Sequence, residues 1–230
     1  MSLRTIYDPE SFICQNTKVG KVPAAPEIEL HLADEAMALW QKTEDELDEI
    51  GLPPPFWAFA WAGGQALARY VLDHPELVAG KSVLDFAAGS GLVAIAAMKA
   101  GARAATAVDI DPFAVAAAQS NGHLNSVEIR GHLGDITNEP PLDTDIVFCG
   151  DIFYELPMSR RVLSWLDGML DQKVPVLVGD PGRTYLPRER LDKLGSYSIE
   201  VIASLEDVSV KETGVYALKH GPWFFAKEND

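Results

Sequence analysis

The chain has 230 residues, 47% hydrophobic and 23% charged, the balance of an ordinary soluble globular protein long enough for one α/β domain with a substantial core. Its formal net charge of −15 argues against a nucleic-acid partner, since phosphate contacts demand a basic excess; the field fits a basic protein segment better. No apolar run reaches the ~18 residues that would span a membrane, the N-terminus lacks a secretory or transit layout, and Cys14 and Cys149 form no ligand cluster, so the expected setting is reducing and cytoplasmic.

Residues 1–50 read as an N-terminal extension, with a half-buried strand at Ile28–Leu32 and a helix opening at Asp34 that runs into the acidic stretch Glu44–Glu49. Gly51-Leu52-Pro53-Pro54-Pro55 ends that helix, and residues 51–230 form the main domain. An aromatic-rich stretch, Phe56–Gln65, enters a helix through Leu67, Ala68, Tyr70, Val71 and Leu72. From Lys81 onward apolar runs at 82–86, 104–108, 126–129, 144–149 and 174–178 alternate with helical patterns at 90–100, 112–125 and 158–171. That alternation predicts a doubly wound α/β fold around a mostly parallel sheet. Tyr197–Ser204 and Gly214–Leu218 read as an antiparallel hairpin at the sheet edge.

The segment Val83-Leu84-Asp85-Phe86-Ala87-Ala88-Gly89-Ser90-Gly91 is a buried strand ending on a carboxylate, then a glycine turn opening a helix. The next strand ends on Asp109, at the spacing where an acid meets ribose hydroxyls, with Ile110 placed beside a base. The two together predict a nucleoside pocket at the carboxyl ends of parallel strands. A dinucleotide fingerprint would place glycines at 87, 89 and 92, but the chain has Ala87, Gly89 and Leu92. Asp85 would also oppose a pyrophosphate, whereas it would welcome a cationic ligand. A nicotinamide-dependent oxidoreductase and a non-catalytic nucleoside-binding module stay open as alternatives. Asp111-Pro112 reads as the cap and first-turn proline of the following helix. The five histidines show no metal-ligand spacing, so no metal ion is expected.

Asp85, Gly89 and Gly91, with Ala87 in place of a first glycine, form a pattern that resembles motif I of the class I, seven-β-strand S-adenosylmethionine-dependent methyltransferases. Alanine at 87 is tolerable if its φ stays below zero. Beyond the loop, Trp61-Ala62-Gly63-Gly64-Gln65-Ala66-Leu67, Asn121 with Asn125, Asp151-Ile152-Phe153-Tyr154 and Gly179-Asp180-Pro181-Gly182-Arg183 are similar to the protein-lysine methyltransferases of that fold that carry an Asp-x-Phe-Tyr signature. The resemblance covers about residues 26–218. It implies a Rossmann-like methyltransferase fold, S-adenosylmethionine as cofactor, and a protein substrate offering a lysine in a basic loop, the electron transfer flavoprotein β-subunit. A ribosomal protein or a small molecule is the alternative acceptor.

The resemblance also assigns roles. Trp61, Asp85, Ala87, Gly89, Gly91, Asp109 and Ile110 would hold the cofactor, joined by Asp135 and Ile136 at the adenine, while Asp151 and Tyr154 would be catalytic. The chemistry is coherent with those residue types. A free lysine has a pKa of about 10.4 and arrives protonated. Asp151, at the end of the run Asp145–Cys149, can accept from the ammonium, and the rings of Phe153 or Tyr154 can hold the cation. A sulfonium charge nearby then favours proton loss to water. Trp61 without the resemblance reads as core, Glu155 as a helix N-terminal acid, and Asp180–Arg183 as a plain turn on the rim.

Overall fold

The computed structural model describes residues 8–33, 54–139, 142–202 and 208–222. Its centre is a seven-stranded sheet in the order β5-β4-β3-β6-β7-β9-β8. The strands are β3 (Ser82–Phe86), β4 (Ala104–Asp109), β5 (Arg130–Leu133), β6 (Ile146–Gly150), β7 (Val176–Asp180), β8 (Leu191–Glu200) and β9 (Val210–Leu218). The first five pair in parallel, and β9 runs antiparallel to both β7 and β8. The expected doubly wound sheet with an antiparallel edge hairpin is the fold observed.

Helices α2 (Ala62–Asp73), α3 (Leu92–Lys99) and α4 (Pro112–Leu124) cover one face of the sheet, and α5 (Leu156–Asp171) covers the other. The strand order reverses beside β3, whose neighbours are β4 and β6, and a crevice opens there at the carboxyl ends. Sheet and helices bring Asp85, Asp109, Asp151 and Asp180 to that one end, because Asp109 and Asp180 close parallel strands, Asp151 directly follows one and Asp85 is next to last in another.

The extension contains a helix, α1 (Pro9–Asn16), and a two-stranded antiparallel sheet of β1 (Lys18–Val22) and β2 (Ala25–Leu32). The strand expected at Ile28–Leu32 is the second half of β2; the helix expected from Asp34 lies outside the described residues. Val22, Ala25, Ile28 and Leu30 are fully buried in the same cluster as α2 and α3. Asn121 and Asn125 on α4 clasp the extension: the Asn121 side chain accepts from the His31 amide at 2.8 Å, and the Asn125 amide group donates to the Glu29 carbonyl at 2.6 Å.

The strand expected at 126–129 begins instead at Arg130. Ser126 has φ 59, its amide donates to the His123 carbonyl, and the Val127 amide donates to the Gly122 carbonyl. Those two bonds form a Schellman C-cap on α4, so Ser126 and Val127 are used to end the helix. The edge strand also starts earlier than the apolar run Tyr197–Ser204 suggests. β8 begins at Leu191, where an outer strand tolerates Asp192 and Lys193 facing solvent.

Candidate active site

The loop after β3 is built on left-handed backbone. Ala87, Gly89 and Gly91 have φ values of 53, 51 and 75. The expectation that Ala87 keeps a negative φ is therefore wrong. The turn imposes on alanine a conformation in which its methyl group crowds the following carbonyl, at a cost of about 1–2 kcal/mol. Gly91 is constrained twice, since a Cβ there would also lie 2.7 Å from the Ala118 Cβ. It stands at the N-cap of α3 and has no side chain with which to cap. Asp85 supplies that function from β3: its Oδ2 accepts from the Ala94 amide at 3.0 Å.

Burial pushes the Asp85 carboxyl up to about 8; the Ala94 amide pulls it down, and the Asp109 charge raises it again. Asp109 Oδ2 accepts from the Gly89 amide at 3.0 Å, and its Oδ1 accepts from the Asp111 amide at 3.0 Å. Burial raises the Asp109 pKa, against these amide bonds. Both carboxylates are thus oriented by backbone donors and keep acceptor capacity toward the crevice. Asp111 caps α4 by accepting from the Phe113 amide at 2.8 Å, as expected of a structural residue.

Ile110 is 74% exposed at the end of β4, beside the exposed Leu133 that closes β5. Asp135 is exposed and accepts from the backbone and hydroxyl of Thr137, and the hydroxyl bond chiefly holds its pKa low. Ile136 is fully buried in the cluster under α5, which leaves its backbone rather than its side chain to meet a base.

The opposite wall comes from Phe59, Trp61 and the start of α2. Trp61 is the N-cap residue of α2 and donates through Nε1 to the Phe56 carbonyl at 2.8 Å. Its ring lies 5.9 Å from Phe56 and 5.8 Å from Phe59, both edge-on. Helix α2 reaches the strand ends because Gly63 faces Gly179 without side chains; a Cβ on Gly63 would sit 2.1 Å from the Gly179 carbonyl oxygen. This approach delivers the Gly64 amide to Asp151 Oδ2 at 3.1 Å.

Asp151 directly follows β6 with φ 57 and is buried, and its amide donates to the Gly179 carbonyl. Its Oδ1 accepts from Arg183 Nε at 3.0 Å and Nη2 at 2.7 Å. The guanidinium carbon also lies 5.8 Å from the Trp61 ring centroid. Asp180 fixes the loop carrying Arg183: its Oδ1 accepts from the Gly182 and Arg183 amides at 2.6 and 2.7 Å. Its Oδ2 is buried without a hydrogen-bond partner, and burial, opposed by the Arg183 amide and reinforced by the Asp151 charge, pushes its carboxyl up to about 6. The Asp180–Arg183 segment is therefore more than a rim turn, because it grips Asp151.

Of the two aromatic rings offered for a cation, Phe153 is fully buried and takes no part. Tyr154 is 49% exposed, 6.4 Å from Phe56, and its pKa is raised by burial and then by the Glu155 and Asp109 charges. The structure thus gathers Trp61, Asp85, Ala87, Gly89 and Asp151 around one cleft; Gly91 and Asp109 adjoin it through the glycine loop, and Tyr154 is half-exposed beside Phe56. Phe56 and Phe59 join them without having been singled out from the sequence, and Arg183, expected only on the rim, is brought onto Asp151. A charged residue two positions after an Asp-Pro pair at a strand end was the available signal for Arg183.

Residues 65–155 match the family model of the ribosomal protein L11 methyltransferases (PrmA). Among solved structures, the fold is similar to the ribosomal protein L11 methylase of Lactobacillus delbrueckii subsp. bulgaricus, with a TM-score of 0.51 and 20% identity over 70% of this chain and 81% of that one. It is also similar to magnesium protoporphyrin IX methyltransferase from Synechocystis with bound SAM, at a TM-score of 0.50 and 13% identity over 68% and 78% of the two chains. Sequence likeness is stronger to the electron transfer flavoprotein beta subunit lysine methyltransferases. The Xenopus laevis protein is 33% identical over 217 residues, 92% of this chain and 87% of that protein. The Homo sapiens protein is 37% identical over 204 residues, 85% and 77% of the two. At this identity and coverage, the chain belongs to the electron transfer flavoprotein beta subunit lysine methyltransferase family.

Proposed function

We propose that this protein transfers methyl groups from S-adenosylmethionine to lysine side chains of the electron transfer flavoprotein β-subunit. The observation that carries the reading is a buried acid at each side of one aromatic-walled cleft: Asp85 under the glycine loop and Asp151 across from it. The cleft is lined by Phe59, Trp61 and Gly64 on one side and by Ala87, Gly89 and Ser90 on the other, the mix of aromatic and backbone surface that small-molecule sites use.

The residues fit a sulfonium nucleoside. Asp85, pushed up to about 8 when no cation faces it, is an acceptor that an ammonium would ionise. Asp109 presents a backbone-oriented carboxylate for a diol, and Ile110 an apolar surface for a base. When bound, S-adenosylmethionine supplies an electrophilic methyl group. Asp151 accepts from the arriving lysine, Tyr154 flanks its stem, Trp61 walls the cofactor's methionine end, and alignment of this kind is worth up to ~7–11 kcal/mol. The proton leaves to water.

The division into an extension (1–50) and a catalytic domain (51–230) is part of the same proposal, as is a reducing, cytoplasmic setting, supported by free Cys14 and Cys149. No described helix is long and apolar enough to cross a membrane. The test is methylation of purified electron transfer flavoprotein with labelled cofactor and mass-spectrometric mapping. Label on β-subunit lysines supports the proposal, and an unlabelled β-subunit beside a labelled ribosomal protein offered in a parallel reaction sinks the choice of substrate. Asp151→Ala is expected to lose at least about a hundredfold in rate while unfolding cooperatively.

A further inference from the structure

The crevice is rich in acids. Asp85, Asp109, Asp151 and Asp180 lie at the carboxyl ends of four neighbouring strands, and Glu155 stands beside Tyr154 at the start of α5. On their own these charges would hold an incoming lysine in its protonated, non-nucleophilic form. Among the described residues, Arg183 is the cation set against them at the reacting end. Arg183 lays Nε and Nη2 on Asp151 Oδ1, is mostly buried, and borders the Trp61 ring. The other carboxylate oxygen, Oδ2, points to the Gly64 amide on the side of the cleft.

Resting on the lysine-methyltransferase reading, we propose that Arg183 is a positioning residue that sets the protonation state of the substrate lysine by cancelling the Asp151 charge while holding that carboxylate in place. An ammonium accepted by Oδ2 lies within about 7 Å of the guanidinium, from the dimensions of a carboxylate and two hydrogen bonds. A like charge at that range in a partly desolvated site lowers an amine pKa by about one to two pH units. Arg183 is fitted for this task because it stays charged at every working pH and grips one oxygen with two donors.

The described groups near the site act in known directions. Asp85, Asp109, Asp180 and Glu155, where ionised, raise the lysine pKa. Tyr154 is neutral with its own pKa raised. The start of α2 contributes only the Gly64 amide. Arg188 donates to the Gly182 carbonyl at 3.2 Å and steadies the loop on the outer side. Asp180 anchors the loop through one oxygen, which accepts from the Gly182 and Arg183 amides, while Nε and Nη2 of the Arg183 guanidinium donate to Asp151.

The test compares wild type, Arg183→Gln and Arg183→Lys on purified electron transfer flavoprotein from pH 6 to 10. S-adenosylhomocysteine binding is followed by calorimetry as a readout independent of activity. The glutamine variant is expected to bind S-adenosylhomocysteine within about twofold of wild type and to lose about ten- to a hundredfold in rate at pH 7. Its acid limb should move up by about one to two pH units, so that its rate approaches wild type near pH 10. The lysine variant, which keeps the charge, should keep the wild-type acid limb even if its maximum falls. The same loss in Arg183→Gln at every pH, or an unmoved profile, overturns the inference. A wild type that methylates no lysine overturns the parent reading, and this one falls with it.

Discussion

Asp85 and Ala87 sit two residues apart, and each is placed where its side chain or backbone costs free energy in the absence of a ligand. For Asp85 the sign follows from proton counting. Its folded pKa of about 8 lies above the ordinary carboxylate value of 3.8, so the folded chain binds the extra proton across that interval. Its effect is to make stability fall as pH rises from about 4 to 8. The full shift corresponds to roughly 6 kcal/mol, at about 1.4 kcal/mol per pH unit. Asp85→Asn removes this slope, and the difference between the two denaturation curves across that pH range measures it. At pH 7 a cationic ligand that ionises Asp85 must release close to one proton. Calorimetric titration with S-adenosylmethionine in buffers of different ionisation enthalpy reads that number, and a proton count of zero would refute the assigned contact. Ala87 offers the complementary case. With φ 53, Ala87→Gly relieves backbone strain but loosens the unfolded chain, for a net gain of about 0.5–1 kcal/mol and a Tm rise of about 2–4 °C.

The link between the extension and the glycine loop runs through helix α4. Asn121 is fully buried, accepts from the His31 amide of β2, and donates to the Ser90 carbonyl at 2.9 Å. One side chain therefore ties β2 to the turn between β3 and α3. Asn121→Ala strands the half-buried His31 amide and the buried Ser90 carbonyl, a loss of about 2–4 kcal/mol. It should also weaken S-adenosylhomocysteine binding by about tenfold, because Ser90 lines the cleft. Urea denaturation and calorimetry measure the two effects, and lost stability with unchanged affinity would show that the loop does not depend on this tie. At this scale the sequence was readable where an element is decided locally. The strands at 82–86 and 104–108 announce themselves by apolar runs, and Asp111-Pro112 by its capping chemistry. The start of β5 was not readable, because a left-handed Ser126 without glycine gives no sign that α4 closes through a Schellman turn. Nor was α1 or β1 legible, since Lys18-Val19-Gly20-Lys21-Val22 alternates too weakly to stand out from a loop. The Arg183–Asp151 contact spans 32 residues and exists only because β6 and β7 are neighbours, so no local pattern could carry it.

For the molecule as a whole, fold and charge act on different steps. The sheet order places the acids of four neighbouring strands at one end, and that convergence is a property of parallel topology: each strand returns to the same edge before its loop begins. The resulting field comes on top of a net charge of −15 and extends beyond the cleft. A basic loop on a protein substrate is drawn toward such a surface before any contact is made, while the contacts themselves depend on Asp151, Tyr154 and the aromatic wall. Salt separates the two contributions, since the Debye length shrinks from about 10 Å at 0.1 M to 3 Å at 1 M and screens encounter more than buried pairs. Raising ionic strength from 50 to 500 mM should therefore lower kcat/KM on the whole protein substrate by roughly tenfold. The value of kcat at saturation should change little, because Asp151 and Arg183 meet inside the cleft at 2.7 Å. A short uncharged peptide carrying the same lysine should show almost no salt dependence of kcat/KM. Equal salt sensitivity of the peptide and the protein would place the effect on the catalytic acids themselves, and the long-range attraction would then have no part in substrate choice.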